Sequence, residues 1–307
     1  MNNLLKTPAP VTATKQEFIK KKTLNAPRVS VKEYKDDEIL DPTKRICFFG
    51  GVGTGKTYTL FELLELGFKV FYISTDVGGG GIETVELECA NNGKTHLLKN
   101  LRSVDLNSYE DVKSFLDDPK DTYPAIYDFD PDILFWDGFA CFQQVDISEH
   151  VGSLGVSRSD NNSKGVNGAV EEGLQMETQH WGQIRNATIR AIAGFMSLHN
   201  TVSGKKWHKI VTAHEEVKMV DAKSRGDGKV PMKEQGYPMI SGKAFNLFNG
   251  AFTTILRTVK SDGKYWYSAG DDNKVAKTRG FDLGEDGKML ASMKDLWAKM
   301  SPGKAEE

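Results

Sequence analysis

The eight residues Gly50-Gly51-Val52-Gly53-Thr54-Gly55-Lys56-Thr57 constrain this chain more than anything else in it. They satisfy the pattern G-x-x-x-x-G-K-[ST] at every fixed position, and the flanking sequence supplies the context that pattern needs. Before it, Ile46-Cys47-Phe48-Phe49 is an apolar run of strand length. After it, Thr57 to Leu66 has helical spacing and stops at Gly67, a residue suited to the left-handed position past a helix end. Lys69-Val70-Phe71-Tyr72-Ile73-Ser74 then reads as a second buried strand. Strand, helix, strand is a βαβ unit, which calls for a parallel sheet covered by helices on both faces.

The chemistry follows from the residue types. Glycines let successive backbone N–H groups curl around an anion, and the helix N-terminus adds its partial positive charge. Lys56 is placed to reach the outer phosphates of a triphosphate, and the Thr57 hydroxyl to ligate Mg²⁺. Gly50 through Thr57, with the adjoining Tyr58, are therefore the expected nucleotide-binding residues; the alternative is a glycine-rich turn of no further consequence. Asp137 closes the apolar run Ile133-Leu134-Phe135-Trp136, a position that puts a carboxylate at the mouth of a parallel sheet, where it can support the metal. Asp76 also follows a strand and reads either as a group that orients or deprotonates water or as a turn carboxylate. His214 ends Lys209-Ile210-Val211-Thr212-Ala213 and reads either as structural or as a γ-phosphate sensor. Asp128, Asp130 and Asp132 are expected to be strand-entry residues.

Composition narrows the class. The 307 residues are 39% hydrophobic and 27% charged, a globular balance, and a formal charge of −2 excludes a bulk positive field for blanket adhesion to nucleic acid or anionic membrane. Three cysteines, Cys47, Cys89 and Cys141, fit neither a disulfide framework nor metal-ligand spacing, so a reducing compartment is expected. With no signal-peptide pattern at the N-terminus and no apolar run near the length that spans a bilayer, the expectation is a cytoplasmic protein without membrane contact.

Residues 1–42 form a candidate arm ahead of a single domain at 43–307. To Lys35 the arm has eight Lys/Arg, including Lys20-Lys21-Lys22, against Glu17 and Glu33. It is either a solvated leader or a segment that docks on a neighbouring subunit or on phosphates. Ser108 to Leu116 predicts a short helix. The Gly/Ser/Asn-rich stretch from about 146 to 170 reads as a mobile loop. A stripe at Trp181, Ile184, Thr188, Ala191, Phe195 and Leu198 predicts a long helix packed on the core. A polar loop is expected from Glu215 to Pro238. Phe252 to Val259 and Tyr265 to Ser268 predict a hairpin about Ser261-Asp262-Gly263-Lys264. Lys274 to Thr278 is a candidate strand and Met289 to Met300 a closing amphipathic helix.

Taken in order, the glycine loop, Ser74-Thr75-Asp76, Asp137, Thr212-Ala213-His214, the polar loop, Ser241-Gly242-Lys243 and Lys277-Thr278-Arg279 resemble the RecA-like P-loop ATPase core. More narrowly, the chain resembles the phage-borne AAA-type RecA-like ATPases proposed to act in single-strand annealing and recombination, over roughly residues 43 to 285. The resemblance implies an α/β P-loop NTPase core with a mainly parallel sheet, helices on both faces and a C-terminal β-hairpin extension. It implies Mg·ATP bound between subunits of a homo-oligomeric ring or filament. Lys277 and Arg279 would be the pair of cations that a neighbour inserts, and Lys243 a further lysine acting in trans. The loop after His214 would bind single-stranded DNA through Lys218, Lys223, Arg225, Lys229 and Lys233; the alternative is a solvated loop. A phage origin would place the protein in a bacterial host's cytoplasm. The chain departs from the family in lacking the separate DNA-binding appendage of larger recombinases and an aromatic-x-x-Ala docking motif, for which Phe18-Ile19 is the nearest substitute.

Two other functions fit a P-loop. A small-molecule or nucleoside kinase would need a cationic lid, for which the stretch before the long helix offers Arg158 and Lys164. An assembly module would use ATP as a switch without turnover.

Overall fold

The computed structural model describes residues 43–76, 80–144, 146–148, 178–221, 232–240, 244–269 and 276–301. The protein is a mixed α/β fold around a mostly parallel sheet. In chain order the elements that build the site are β1 (Arg45–Gly50), α1 (Tyr58–Glu65), β2 (Val70–Ser74), α2 (Gly80–Asn91), β3 (Leu101–Asp105), α3 (Tyr109–Asp117), β4 (Ile133–Asp137), α4 (Phe139–Gln144) and α5 (Thr178–Ser197). There follow β5 (His208–Asp221), β6 (Met232–Pro238), α6 (Ala244–Ala251), β7 (Thr254–Ser261), β8 (Lys264–Ser268), β9 (Lys288–Leu290) and α7 (Met293–Met300).

The strand order is β3-β2-β4-β5-β1-β7-β8-β9, parallel from β3 to β7 and antiparallel beyond. Because strands β1, β2 and β4 are covered on both faces, they read as continuous apolar runs and not as alternating ones. Their side chains still divide by the two-residue period. Cys47, Phe49, Phe71, Ile73, Leu134 and Trp136 pack on one face with Phe115 of α3, Phe139 and Phe142 of α4, Phe195 of α5 and Phe248 of α6. Ile46, Phe48, Val70, Tyr72, Ile133 and Phe135 pack on the other with Leu60, Leu63 and Leu64 of α1, Val85 of α2, and Met293 and Leu296 of α7.

Local signals set the ends. Gly67 takes φ 86° past α1, Ser108 and Ser292 cap α3 and α7 by accepting from Asp111 N and Asp295 N, and Asp262 and Gly263, both at positive φ, turn the β7–β8 hairpin. At the amino end of the sheet Asp132 accepts from Lys69 N and pairs with Lys205, while Asp130 accepts from Asn200 Nδ2 and Trp207 Nε1. These are entry residues, as expected.

Three elements differ from the sequence reading. The expected polar loop from Glu215 to Pro238 is largely sheet: β5 continues to Asp221 and pairs antiparallel with β6, because beyond the sheet edge strands are exposed and need no apolar run. The closing helix begins at Met293, and Lys288–Leu290 instead forms edge strand β9 on β8. Of the candidate strand at 274–278, the described residues make one antiparallel bridge, Ile255 to Lys277. The arm at 1–42 and most of the Gly/Ser/Asn-rich stretch lie outside the described residues.

Candidate nucleotide site

All six parallel strands end at one edge, so the residues following β1, β2, β4 and β5 meet there. Register fixes the neighbours: Gly50 lies beside His214, Ser74 beside Asp137, and Trp136 beside Val211. Strand β5 therefore stands between the glycine loop and Asp137, and the Thr57 side chain crosses that gap to donate to Asp137 Oδ2 at 3.1 Å.

The loop is a cradle whose backbone donors are left without protein partners among the described residues. Gly53 and Gly55 take φ 71° and 88°, which only glycine adopts freely. Among the described residues no protein acceptor takes the backbone N–H of any residue from Val52 to Thr57. The hydroxyl of Thr54 bonds the Gly51 carbonyl and Thr258 Oγ1, each at 2.8 Å, and ties the loop to β7. Lys56 is buried, and its Nζ donates to the carbonyls of Gly50 and Gly51 at 2.9 and 2.8 Å. Burial pushes its pKa down, opposed by the carboxylates of Asp137, Asp76 and Glu215.

Asp137 is fixed from every side. Tyr72 Oη donates to its Oδ2 at 2.9 Å, and Thr212 Oγ1 donates to its Oδ1. Its carbonyl accepts from Thr75 N at 3.1 Å, and Thr75 Oγ1 in turn accepts from Trp136 Nε1. Desolvation raises the Tyr72 hydroxyl far above the usual phenol value, with Asp137 adding to it, so Tyr72 stays a donor. Asp76 sits next to Gly138, whose φ of 84° and missing Cβ leave the carboxylate its place. Burial, then the charge of Asp137, raises the Asp76 pKa, against the opposing pull of His214 and Lys56.

A cleft of about 900 Å³ joins these groups, lined by the cradle, Asp76, Asp137, Thr212 and His214, with Tyr58 and Tyr265 at its lip. A second hollow of about 950 Å³ between β6 and β7–β9 is lined by Glu234, Asp262, Asp282 and Asp286 together with Arg257 and Lys288, and has no glycine cradle. Thr57 and Asp137 are hard oxygen donors suited to Mg²⁺; among the described residues no cluster of three or more His, Cys, Asp or Glu is arranged to cage a metal, so the rest of a magnesium shell would be phosphate and water.

Gly50 through Thr57, Asp76, Asp137 and His214 thus come together. Lys277 and Arg279 do not join them within one chain: Lys277 Nζ donates to the Asn249 carbonyl and Arg279 is exposed, both away from the cleft lining. Lys218 is exposed on β5, paired with Glu216 at 3.0 Å and lying over the Tyr237 ring. Lys233 lies on β6, and Lys223, Arg225, Lys229 and Lys243 fall outside the described residues. Sequence reasoning missed Tyr72, Thr212, Gly81 and Gly138; the only signal was one hydroxyl breaking each of two apolar runs.

No family model and no curated protein sequence matches the chain. Among the described residues no helix is long and apolar enough to cross a membrane.

Proposed function

We propose that the protein binds Mg·ATP in the cradle at the tip of β1 and hydrolyses it as a RecA-like P-loop ATPase, coupling that cycle to single-stranded DNA in recombination, annealing or replication. The observation that carries the nucleotide reading is the run of unpartnered N–H groups from Val52 to Thr57, curled beside the Lys56 ammonium and joined through Thr57 to Asp137. Six unpartnered donors on one short loop, beside an ammonium, suit the charge of a polyphosphate.

Lys56 turns from its two carbonyls to the β- and γ-phosphates. Thr57 and Asp137 would hold a magnesium ion, which would supply neutralising charge to the phosphate oxygens. Asp76, whose environment favours proton uptake, orients the attacking water and takes its proton. His214, beside Gly50, reads the γ-phosphate. Lys277 and Arg279, outside their own chain's cleft, serve a neighbour's site in a homo-oligomer. The DNA part rests on the family resemblance, on Lys218 of β5 and Lys233 of β6, and on the cations Lys223, Arg225 and Lys229 that lie between them in the sequence.

The test is phosphate release against protein concentration, with and without a single-stranded oligonucleotide, for the wild type and Lys56→Ala. Activity that rises per subunit with concentration, is stimulated by the oligonucleotide and disappears in Lys56→Ala is the expected result. Turnover that appears only when a phosphate acceptor is added would mean a kinase, and nucleotide-driven assembly with no phosphate released would mean a switch.

A further inference from the structure

An ionised carboxylate offers about four acceptor sites, two on each oxygen. In Asp137 three are already in use. Oδ2 receives the hydroxyls of Thr57 and Tyr72, and Oδ1 receives that of Thr212. The direction of the last bond is settled by a fourth contact: Gly138 N donates to Thr212 Oγ1 at 3.2 Å, so the threonine's own proton is left for the carboxylate. Tyr72 is wholly buried among the side chains behind the cleft, and its ring lies stacked near Phe135 at 5.9 Å. The space around its hydroxyl is reserved by Gly81 of α2, where a Cβ would lie 2.8 Å from Asp137 Oδ2 and closer still to Tyr72 Oη.

We propose that Tyr72 and Thr212 are positioning residues for Asp137: with Thr57 they occupy three of its acceptor sites, fix its plane, and leave one site on Oδ1 to receive the hydrated shell of a divalent cation carried in with a triphosphate. This rests on the nucleotide reading above. It adds that Asp137 supports the cation through a single outward lone pair, whose direction is set by two hydroxyls from β2 and β5. Both hydroxyls donate to Asp137, Tyr72 from behind the cleft and Thr212 from its lining. Their removal should therefore weaken the contribution of the metal to nucleotide binding and leave the metal-free contribution of the cradle alone.

The experiment is equilibrium binding of a fluorescent N-methylanthraniloyl ATP to the full chain, titrated with MgCl₂ and repeated in excess EDTA. Tyr72→Phe and Thr212→Val should each raise the Mg²⁺ concentration at half-effect by about tenfold, the scale expected for partners behind a metal ligand. In Tyr72→Phe, which lies behind the lining, affinity in EDTA should stay at the wild-type value, and Thr212→Ser should keep the wild-type Mg²⁺ midpoint. An unchanged Mg²⁺ midpoint in either folded variant would overturn the proposal, as would an equal loss with and without metal, the mark of a purely structural role. The two variants act from different strands, so a folding defect in one leaves the other as the test. Loss of nucleotide binding in the wild type, or binding indifferent to Lys56→Ala, is a separate outcome that removes the nucleotide reading and this proposal with it.

Discussion

An added Cβ at Gly50 would lie 2.8 Å from Thr54 Oγ1 and closer still to the hydroxyl and carbonyl of Thr258. At the next residue, Gly51, the same atom meets only the Thr54 methyl, at an ordinary 3.8 Å. Gly50→Ala should therefore cost about 1–3 kcal/mol in urea unfolding through overpacking against β7, while Gly51→Ala stays within about 0.5 kcal/mol of the wild type. Two titrating residues act on stability in opposite windows. Burial pushes the Glu62 carboxyl up to about 7, opposed by its hydrogen bond from Met293 N. The folded chain then keeps a proton that the unfolded chain has released, so stability falls as pH rises from 4.5 to about 7. Burial pushes the Lys209 ammonium down to about 7, although it is held by the carbonyls of Leu198 and Trp207. There the unfolded chain binds the extra proton, and stability rises from about 7 toward 10.5. The two contributions combine to give a minimum near neutrality. Thermal midpoints measured across this range should lose the acid-side slope in Glu62→Gln and the alkaline-side slope in Lys209→Met.

At the scale of elements, the hairpin of β5 and β6 is pinned at its root. Glu215 pairs with Arg257 of β7 at 2.6 Å directly beneath Gly236 of β6. A Cβ at Gly236 would come 2.8 Å from the Glu215 carboxyl carbon and 3.0 Å from Arg257 Nε. Gly236→Ala should break that pair and loosen β6, seen as faster amide exchange in residues 234–237 with the exchange of β1 and β4 unchanged. This hairpin also marks where the sequence stopped being legible. Strands β1, β2 and β4 are buried on both faces and stood out as apolar runs, as did the stripe of α5. Leu101-Arg102-Ser103-Val104-Asp105 forms edge strand β3 with only Leu101 buried, so its pattern had nothing to distinguish it. The outer part of β5 escaped for the same reason, and α2 because it opens on two glycines. In the site, the residues at strand ends were readable one at a time. Tyr72 and Thr212 were not, because their meeting at Asp137 depends on which strands lie side by side, and that is fixed by the whole sheet.

At the scale of the whole molecule, Lys277 bridges Ile255, whose strand neighbour in β1 is Cys47, well below the mouth at Gly50, and Arg279 follows two residues later. Lys277 is further committed to the Asn249 carbonyl of α6. If these residues stabilise the transferred phosphoryl group, they do so for another subunit, and each site is divided between two chains. A divided site has a signature that no single-chain site reproduces. Lys56→Ala removes the ammonium beside the cradle and keeps Lys277 and Arg279; Arg279→Ala keeps Lys56 and removes one of those cations, so each variant alone should be nearly inactive, the cation's loss alone costing on the order of 10³-fold or more. When the two are mixed in equal amounts, an Arg279→Ala cradle can face a Lys56→Ala neighbour and form one complete site. Random assembly through a head-to-tail interface makes about a quarter of the interfaces complete. Phosphate release from the mixture should thus recover to about that fraction of the wild-type rate, rise with total protein concentration, and vanish on dilution. Recovery absent at every mixing ratio, with both variants folded and assembling, would place the catalytic cations elsewhere.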